Sequence, residues 1–503
     1  MPLHKILLSL ALGIASLGAL RAANPAPQPQ RTISGDITLE RAIDIALRQN
    51  PEVLRATREI ERVRGQVIEV RAQALPHLST TSTYTKTDRN LFEISSSQNF
   101  SSSGTDSTTS STSSSSVNDS TWRVALDLKQ ALYTGGQIRA AVRIARFTED
   151  SSYWTLRDTI DRIVGRVRTQ FVNVLRSRAL IQVQEESIQL LTNQLKDQQN
   201  RFDAGTVPRF NVLRAEVALS NARPELIRAR NNSLIAQLEL ARSLGLEPGH
   251  DGKPAFHCIG TLDTPARSLS ITEALQIAKE RRPFLKVQRQ NILIETEQIK
   301  VAMAGYKPRL DANAGYEFRN SRLSNDLGDT VNGWFLGLTG RWDIFDGLAT
   351  YGRTKQAHAR LASAKINYDD SVLQVELEVQ QAFALLQQAR ETIQSQRKAV
   401  EQALESLRLA NERLAAGAGT QLDVLDARVA LTQARTTELQ ARADYNTALA
   451  EFDRATATNT AYEESFRDPI TTARTQSQKP SHKAQSGTPK SVKPTQVKGQ
   501  SDR

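Results

Sequence analysis

Cysteine, methionine and aromatic residues are scarce in this sequence of 503 residues. Cys258 is the only cysteine, so no disulfide can form within the chain, and it lies too far from the N-terminus to be an acylated lipoprotein cysteine. We interpret it as a small residue in a loop. Aromatic residues make up only 5% of the chain, which argues against a large compact core. Ala, Leu, Gln, Arg and Glu fill long stretches instead, a mixture typical of long helices that pack along seams.

Long apolar runs are missing too, apart from one at the N-terminus. His4 and Lys5 precede an apolar stretch from Ile6 to Leu20, and Ala22 begins a small-residue cleavage region. About fifteen apolar residues are fewer than the ~20 that a spanning helix needs, so residues 1–22 predict a cleaved signal peptide rather than an anchor. Any membrane insertion of the mature chain would therefore have to use β-strands.

Clusters of catalytic or metal-binding residues are also lacking. His250 and His257 share a Gly/Pro-rich linker but have no cysteine or acidic partners at ligand spacing, so we predict no metal site. Gly252 and Lys253 lack the upstream glycine of a phosphate-binding loop, and no Asp/His/Ser grouping suggests catalysis. The sequence predicts neither an enzyme nor a bound cofactor.

The net charge of +11 is concentrated at the C-terminus. From Thr471 onward there are seven Lys or Arg residues and one Asp, in a segment with almost no apolar residues. Such a segment cannot offset its ordering entropy by burial, so residues 459–503 predict a disordered basic tail. A nucleic-acid binder is the alternative that the charge suggests, but it conflicts with the signal peptide and with the absence of a nucleic-acid-binding motif.

The sequence contains an internal repeat. Ile37–Pro51 recurs as Leu269–Pro283 at an offset of 232 residues, and from Trp122, which matches Trp334, the offset becomes 212. The first copy therefore carries a 20-residue insertion, which falls in the serine-rich stretch from Ser95 to Ser120. We predict two repeats, 23–250 and 269–458, joined by a linker at 251–268.

The hydrophobic period changes twice within each copy. Thr38 and Ser270 stand where N-caps are expected, opening helices that run to about Leu75 and Lys307. Strict alternation then predicts two strands of roughly ten residues in each copy, a length suited to membrane strands. The apolar positions of the clearest strands are Leu310, Ala312, Ala314, Tyr316 and Phe318, then Trp334, Leu336, Leu338, Trp342 and Ile344, and in the first copy Trp122, Val124, Leu126, Leu128 and Leu132.

A helical period follows the glycines after the strands. Apolar residues recur at heptad a and d positions, including Val167, Phe171 and Val174 in the first copy and Val379 and Leu386 in the second. This 3.5-residue seam predicts long helices packed side by side with left-handed supercoiling. A helix covering 136–204 would be ~100 Å long at 1.5 Å per residue.

Four membrane strands cannot form a stable sheet alone. An open sheet would expose unpaired backbone groups to lipid, so the barrel must close by oligomerisation, and at least eight strands require at least two chains. Trp122, Trp334 and Trp342 are candidates for the aromatic girdle of such a barrel, with an ordinary core position as the alternative.

Taken together, these features resemble the outer membrane efflux protein (TolC) family. The resemblance rests on the repeat, on the strand exits at 132–136 and 344–347, and on the tip segments 202–206 and 414–418. It implies an α+β membrane protein: a homotrimer whose 12-stranded outer-membrane β-barrel continues into a 12-helix periplasmic α-barrel. A passive conduit of a tripartite efflux or type I secretion system, working with a periplasmic adaptor and an inner-membrane transporter in a Gram-negative-type cell, is then expected. A periplasm-spanning coiled-coil scaffold without a pore is the alternative.

The same resemblance suggests roles for two groups of residues. The turns between outgoing and returning helices would dock the adaptor, through Ala204, Gly205 and Thr206 and through Ala416, Gly417 and Ala418. Asp423 and Asp426 would form carboxylate rings at the periplasmic constriction, although acids at a helix start also complement its dipole. Family members often have an aromatic and a basic latch residue in the second tip, where this chain has Leu414 and Gly419.

Overall fold

The computed structural model describes residues 35–88, 120–247, 252–265, 270–320 and 329–458. The predicted signal peptide, nearly all of the serine-rich insertion, His250 and the basic tail lie outside the described residues. The described part is mainly helical, with a smaller share of β-sheet. None of its helices combines the length and the apolar character that crossing a membrane requires.

The same order of elements occurs twice along the described chain. The first half contains β1 (Gly35–Ile37), α1 (Leu39–Gln49), α2 (Pro51–Ala72), β2 (His77–Lys86), β3 (Ser120–Thr134), α3 (Gln137–Asp203) and α4 (Arg209–Leu244). The second half contains β4 (Phe256–Cys258), α5 (Ile271–Arg281), α6 (Pro283–Met303), β5 (Arg309–Asn320), β6 (Thr330–Arg341), α7 (Ala349–Ala415) and α8 (Gln421–Thr456). The matching long helices have equal lengths, 67 residues for α3 and α7 and 36 for α4 and α8.

Each opening helix begins at its predicted cap but is shorter than predicted. The Thr38 hydroxyl accepts the Arg41 amide, and the Ser270 hydroxyl accepts the Glu273 amide. The prediction of one unbroken helix to about Leu75 or Lys307 is wrong, because each stretch forms two helices divided before a proline. Proline has no amide hydrogen and pushes the preceding residue out of helical geometry, so Asn50 has φ −60° and ψ 126°.

The last residues of each return helix are tied to this break. In the first half the Asn50 side chain donates to the Ser243 carbonyl at 2.6 Å. In the second half Arg282, which also precedes a proline, donates to the Ala455 carbonyl at 3.1 Å and to the Glu378 carboxylate at 2.7 Å. The break is therefore where a return helix is anchored, by a neutral amide in one half and a charged guanidinium in the other.

Strands β2, β3, β5 and β6 form one antiparallel sheet in the order β2-β3-β5-β6. Trp122 lies opposite Tyr84, and Trp334 lies opposite Tyr316. The first copy's other predicted strand, which the sequence pattern places at Leu78 to Lys86 and which is the weakest of the four, is confirmed as β2. The prediction that Trp342 and Ile344 belong to β6 is wrong for this chain, because β5 begins at Arg309, after a proline that cannot donate to the ladder.

The long helices pack along the predicted seams. Helix α3 contacts α2, α4, α6 and α8, while α7 contacts α6 and α8. Val167 and Val174 in α3 and Val379 and Leu386 in α7 are buried, which confirms the heptad pattern over that part of both helices. Helix α7 therefore lies at one edge of the chain, with α2 and α4 at the other.

Strands β1 and β4 form a separate two-stranded parallel sheet. The interpretation of Cys258 as a loop residue is wrong: it is the last residue of β4, pairs with Ile37 and is buried. A three-residue strand carries no readable period, so the sequence could not indicate it. Burial raises the pKa of the Cys258 thiol to about 12, which keeps it protonated and unreactive at neutral pH.

Candidate functional site

The four-stranded sheet has one apolar and one polar face. Because paired residues lie on the same side of a sheet, the ladder places Tyr84, Trp122, Leu126, Tyr316 and Trp334 on one face. Further apolar positions on that face are Leu78, Val124, Leu128, Phe318, Leu336 and Leu338. Most of these side chains are exposed in the single chain, so this face lacks a covering layer among the described residues.

The opposite face carries the polar and charged side chains of the same strands. Arg123 and Glu317 form an ion pair at 3.0 Å across the β3–β5 pair, and Arg319 lies 3.7 Å from the same carboxylate. The ring of Phe335 lies across Gly315, where a Cβ atom would come within 2.6 Å of it. Such a sheet can separate a lipid phase from an aqueous one.

Aromatic residues stand at both ends of the apolar face. Trp122 and Trp334 lie near one end of their strands, and Tyr133 lies eleven residues after Trp122 along β3. At ~3.3 Å per residue and a tilt of about 40°, these two levels are roughly 28 Å apart in height, close to the ~25 Å apolar band of membrane barrels. Trp342 follows β6, is exposed, and its indole donates to the Tyr306 carbonyl at 3.2 Å.

The far ends of the long helices form two exposed turns of the same type. In the first, Gly205 has φ +73° and donates to the Phe202 carbonyl, while the Thr206 amide donates to the Arg201 carbonyl. In the second, Gly417 has φ +74° and the same two bonds recur. This is a Schellman ending, in which a left-handed glycine lets the last carbonyls of the helix be satisfied.

The start of α8 holds two exposed carboxylates. Asp423 accepts the Thr420 amide at 2.8 Å, and the Thr420 hydroxyl accepts the Asp423 amide at 3.3 Å. These hydrogen bonds hold the pKa of Asp423 below its usual range, so it is charged at neutral pH. Asp426 is three residues later on the same helical face and is also exposed. Helix α4 has no side-chain cap and presents Asn211 and Arg214 at the matching positions.

A buried polar layer joins α8 to α3 beside these carboxylates. The Gln198 side chain donates to Gln421 at 3.2 Å, and Arg428 donates to the Leu190 carbonyl at 3.0 Å and to the Gln194 side chain. Burial lowers the pKa of Arg428, although the group stays charged. The layer fixes the position of α8, and with it the two carboxylates, against the outgoing helix of the other repeat.

Comparison with known proteins agrees with this geometry. The family model for outer membrane efflux proteins matches residues 42–246 and 274–458, which is most of the chain. The chain belongs to the outer membrane efflux protein family. Among solved structures, the CmeC outer membrane channel of Campylobacter jejuni has the same fold, with a TM-score of 0.69, 16% identity, and coverage of 86% of this chain and 90% of that chain.

Two relatives of this efflux family protein match it over a smaller part of their length, at higher identity. Protein CyaE of Bordetella pertussis is 24% identical over 267 residues, 52% of this chain and 55% of that protein. The alkaline protease secretion protein AprF of Pseudomonas aeruginosa is 26% identical over 224 residues, 44% of this chain and 42% of that protein. The chain thus matches about half the length of these two relatives.

The structure places the efflux protein's candidate residues in two regions. All six tip residues, Ala204 to Thr206 and Ala416 to Ala418, lie on the exposed turns, and Asp423 and Asp426 follow the second turn. Trp122, Trp334 and Trp342 lie instead at the sheet. No grouping of His, Cys, Asp or Glu within the described ranges could hold a metal ion.

A charged cluster that the sequence did not indicate is buried where α3, α6, α7 and α8 meet. Asp161 and Arg282 are each less than a tenth exposed, and they line a cavity of about 180 Å³ together with Asp158, Glu378 and Arg454. Burial is the main reason that the pKa of Asp161 rises from 3.8 to about 6. Charged residues in a long helix are usually exposed, so no sequence signal marked these positions.

The raised pKa predicts a pH dependence of stability. The folded state binds the Asp161 proton more tightly than the unfolded state, so this group's contribution to the free energy of unfolding is greatest below pH 4 and falls as pH rises to about 6. Raising the pKa of this carboxyl to about 6 corresponds to roughly 3 kcal/mol of stability. We expect Asp161→Asn to raise the unfolding free energy by about 2–3 kcal/mol at pH 7.5 and to change it little at pH 4. Urea unfolding in detergent at the two pH values tests this, and equal effects at both would contradict it.

Substituting the glycine of a tip turn should change stability less than Asp161→Asn does. Gly417→Ala places a Cβ in left-handed geometry and should lower the free energy of unfolding by about 1 kcal/mol. The matched control is Gly352→Ala, inside α7 with open space around it and with Ala140 at the equivalent position of α3, which should raise stability by about 0.5–1 kcal/mol. Thermal unfolding of both variants measures the contrast. Opposite signs are expected, and a stabilising Gly417→Ala would exclude the turn as a constraint.

Proposed function

We propose that this chain is the outer-membrane channel of a tripartite efflux or type I secretion system, a passive conduit from the periplasm to the exterior. The observation that carries the proposal is the four-stranded sheet with one apolar face, one polar face and two open edges. It continues directly into 67-residue helices, each ~100 Å long. A coiled-coil scaffold has no use for an exposed apolar sheet face.

Closure of the sheet supports a ring of several copies. The outer edges of β2 and β6 have no partner strand among the described residues, and each unpaired backbone group would cost several kcal/mol in lipid. We propose a homotrimer, as the family resemblance implies, with a 12-stranded barrel from four strands per chain. Helices α3, α4, α7 and α8 of three chains would form the 12-helix periplasmic α-barrel. The repeats 23–250 and 269–458 would be copies of one ancestral unit.

The adaptor contacts and the constriction are proposed to lie at the periplasmic ends of the helices. The exposed turns at Gly205 and Gly417 would face the periplasmic adaptor, which links the channel to an inner-membrane transporter. Asp423 and Asp426 would form two carboxylate rings, and such rings attract cations to a constriction. The chain has no catalytic role in this scheme, and the transporter supplies the energy.

Conductance of the purified protein in planar lipid bilayers tests the proposal. We expect stepwise current increases, each from the insertion of one closed ring. A protein that associates with the bilayer without any steps would favour the scaffold. A useful control is Leu336→Pro, which should abolish the steps because proline cannot complete the β5–β6 ladder.

A further inference from the structure

We infer that β6 of one copy pairs with β2 of the next copy in the register that β3 and β5 use within the chain, so that Leu338 lies opposite Tyr84 of the next copy. The inference rests on the proposed oligomer, but it adds a residue-level interface that the family resemblance does not supply. Its basis is the repeat symmetry of the sheet.

The two hairpins of the chain have one register. His77 pairs with Lys129, and Arg309 pairs with Arg341. These positions differ by 232 residues in the first strand of each hairpin and by 212 in the second, the offsets that the sequence repeat shows. The repeat therefore applies to the hydrogen-bond ladder as well as to the residues.

The pairing of β3 with β5 is the join between the two repeats. If the same pairing is repeated between neighbouring copies, β6 takes the place of β3, and β2 of the next copy takes the place of β5. Leu126 opposite Tyr316 then becomes Leu338 opposite Tyr84 of the next copy. Each strand edge that is open in the single chain receives a partner in this way.

The same shift accounts for the exposed residues after β6. In the first repeat, Leu132 is the extra residue of a β-bulge, and Tyr133 continues the ladder by pairing with Leu310. The equivalents are Ile344 and Phe345, which are 84% and 81% exposed because β5 does not reach them. In the proposed β6–β2 junction between copies, Phe345 lies opposite Leu78 of the next copy, and Ile344 occupies the bulge.

The helices give independent support. By the same rule, the contacts of α3 with α6 and α8 become contacts of α7 with α2 and α4 of the next copy. Leu425 in α8 is 8% exposed, whereas its counterpart Leu213 in α4 is 48% exposed. Leu377 in α7 is 54% exposed, and its counterpart in α3 is the buried Gly165. Apolar residues are thus left uncovered on the surfaces that the next copy would cover.

The register also sets the chemistry of the barrel wall. Within the chain, the polar face at the β3–β5 join carries the Arg123–Glu317 ion pair. At the junction between copies, the equivalents of Arg123 and Glu317 are Phe335 and Thr85 of the next copy, so the ion pair does not recur there. Thr339 lies opposite Thr83, and Arg341 lies opposite Thr81. The lumen would therefore carry the Arg–Glu pair at the three joins within chains, and threonine hydroxyls together with Arg341 at the three junctions between chains.

Disulfide cross-linking of the full chain in outer membranes tests the register. Paired residues in antiparallel strands have Cα atoms about 4.5–5.5 Å apart, within disulfide range, whereas a shift of two residues puts them about 8 Å apart, beyond it. The test pair is Tyr84→Cys with Leu338→Cys, and the shifted pairs combine Leu338→Cys with Ser82→Cys or Lys86→Cys. The control is Leu126→Cys with Tyr316→Cys, the equivalent pair within one chain. Cys258→Ala removes the native thiol.

We expect the test pair to give a covalent species of three chains on non-reducing gels, with the shifted pairs at least tenfold weaker. The control pair should form its disulfide within single chains. A shifted pair that cross-links in place of the test pair would overturn the register and leave the channel proposal standing. The register would also be overturned if no disulfide formed between chains in a protein that still gives conducting rings. A monomer with no conductance would instead refute the proposed function itself.

Discussion

Replacing both carboxylates at the start of α8, as Asp423→Asn with Asp426→Asn, is expected to lower the cation-over-anion permeability ratio of the reconstituted channel at least about threefold. A cation ~6 Å from a carboxylate gains about 0.7 kcal/mol even at the dielectric constant of water, which corresponds to roughly a threefold preference. Each ring would contain several copies of the acid. Reversal potentials in a salt gradient across a planar bilayer measure the ratio.

The substitutions keep the local fold, so the effect can be assigned to charge. Asparagine retains an oxygen that can accept the Thr420 amide, which now bonds to Asp423 at 2.8 Å. The matched control is Glu59→Gln with Glu61→Gln, which removes two exposed carboxylates from α2. We expect the control to leave the ratio unchanged. An unchanged ratio in the Asp423/Asp426 variant would show that these acids do not line the path of the ions, and would leave helix capping as their role.

The second large effect is expected at Arg282. Its guanidinium is buried and donates both to the last carbonyls of α8 and to Glu378. Arg282→Met keeps an unbranched apolar stem but removes every donor, so we expect the free energy of unfolding to fall by about 2–4 kcal/mol. Part of the penalty is the Glu378 carboxylate left behind, which loses its 2.7 Å partner and keeps the longer contacts to Arg454 at 3.7 Å and to the Gln374 amide at 3.4 Å. Urea unfolding in detergent is the measurement.

Two further variants separate burial from charge at this site. Arg48→Met removes an exposed ion pair with Asp44 near the equivalent end of α1 and should cost less than about 0.5 kcal/mol. Adding Glu378→Gln to Arg282→Met should recover stability, because the carboxylate is no longer left without its partner. A loss below about 1 kcal/mol for Arg282→Met alone would mean that the end of α8 does not depend on this anchor.

The sequence predicted correctly the features that appear in it as repeats or as periodic patterns. Alternation located the strands, heptads located the long helices, and paired glycines located the turns at Gly205 and Gly417. The offset of the repeat also carries through to the pairing of the strands. These signals extend over many residues, so single exceptions do not hide them.

The features that the sequence did not reveal depend on single residues or on contacts between distant segments. The helical period is the same on both sides of Pro51, so it gave no sign that the helix divides there. Strand β4 is too short to show a period. Arg282 and Asp161 are buried only because α3, α6, α7 and α8 converge on them, and Gln198 meets Gln421 across 223 residues of sequence. Local sequence patterns contain no information about such long-range contacts.

Electron microscopy of the detergent-extracted protein distinguishes a conduit from a scaffold. We expect a hollow particle with three-fold symmetry and a length well over ~100 Å, because each long helix alone spans that distance and the sheet extends beyond it. A compact or solid particle, or an elongated one without a central channel, would contradict the conduit.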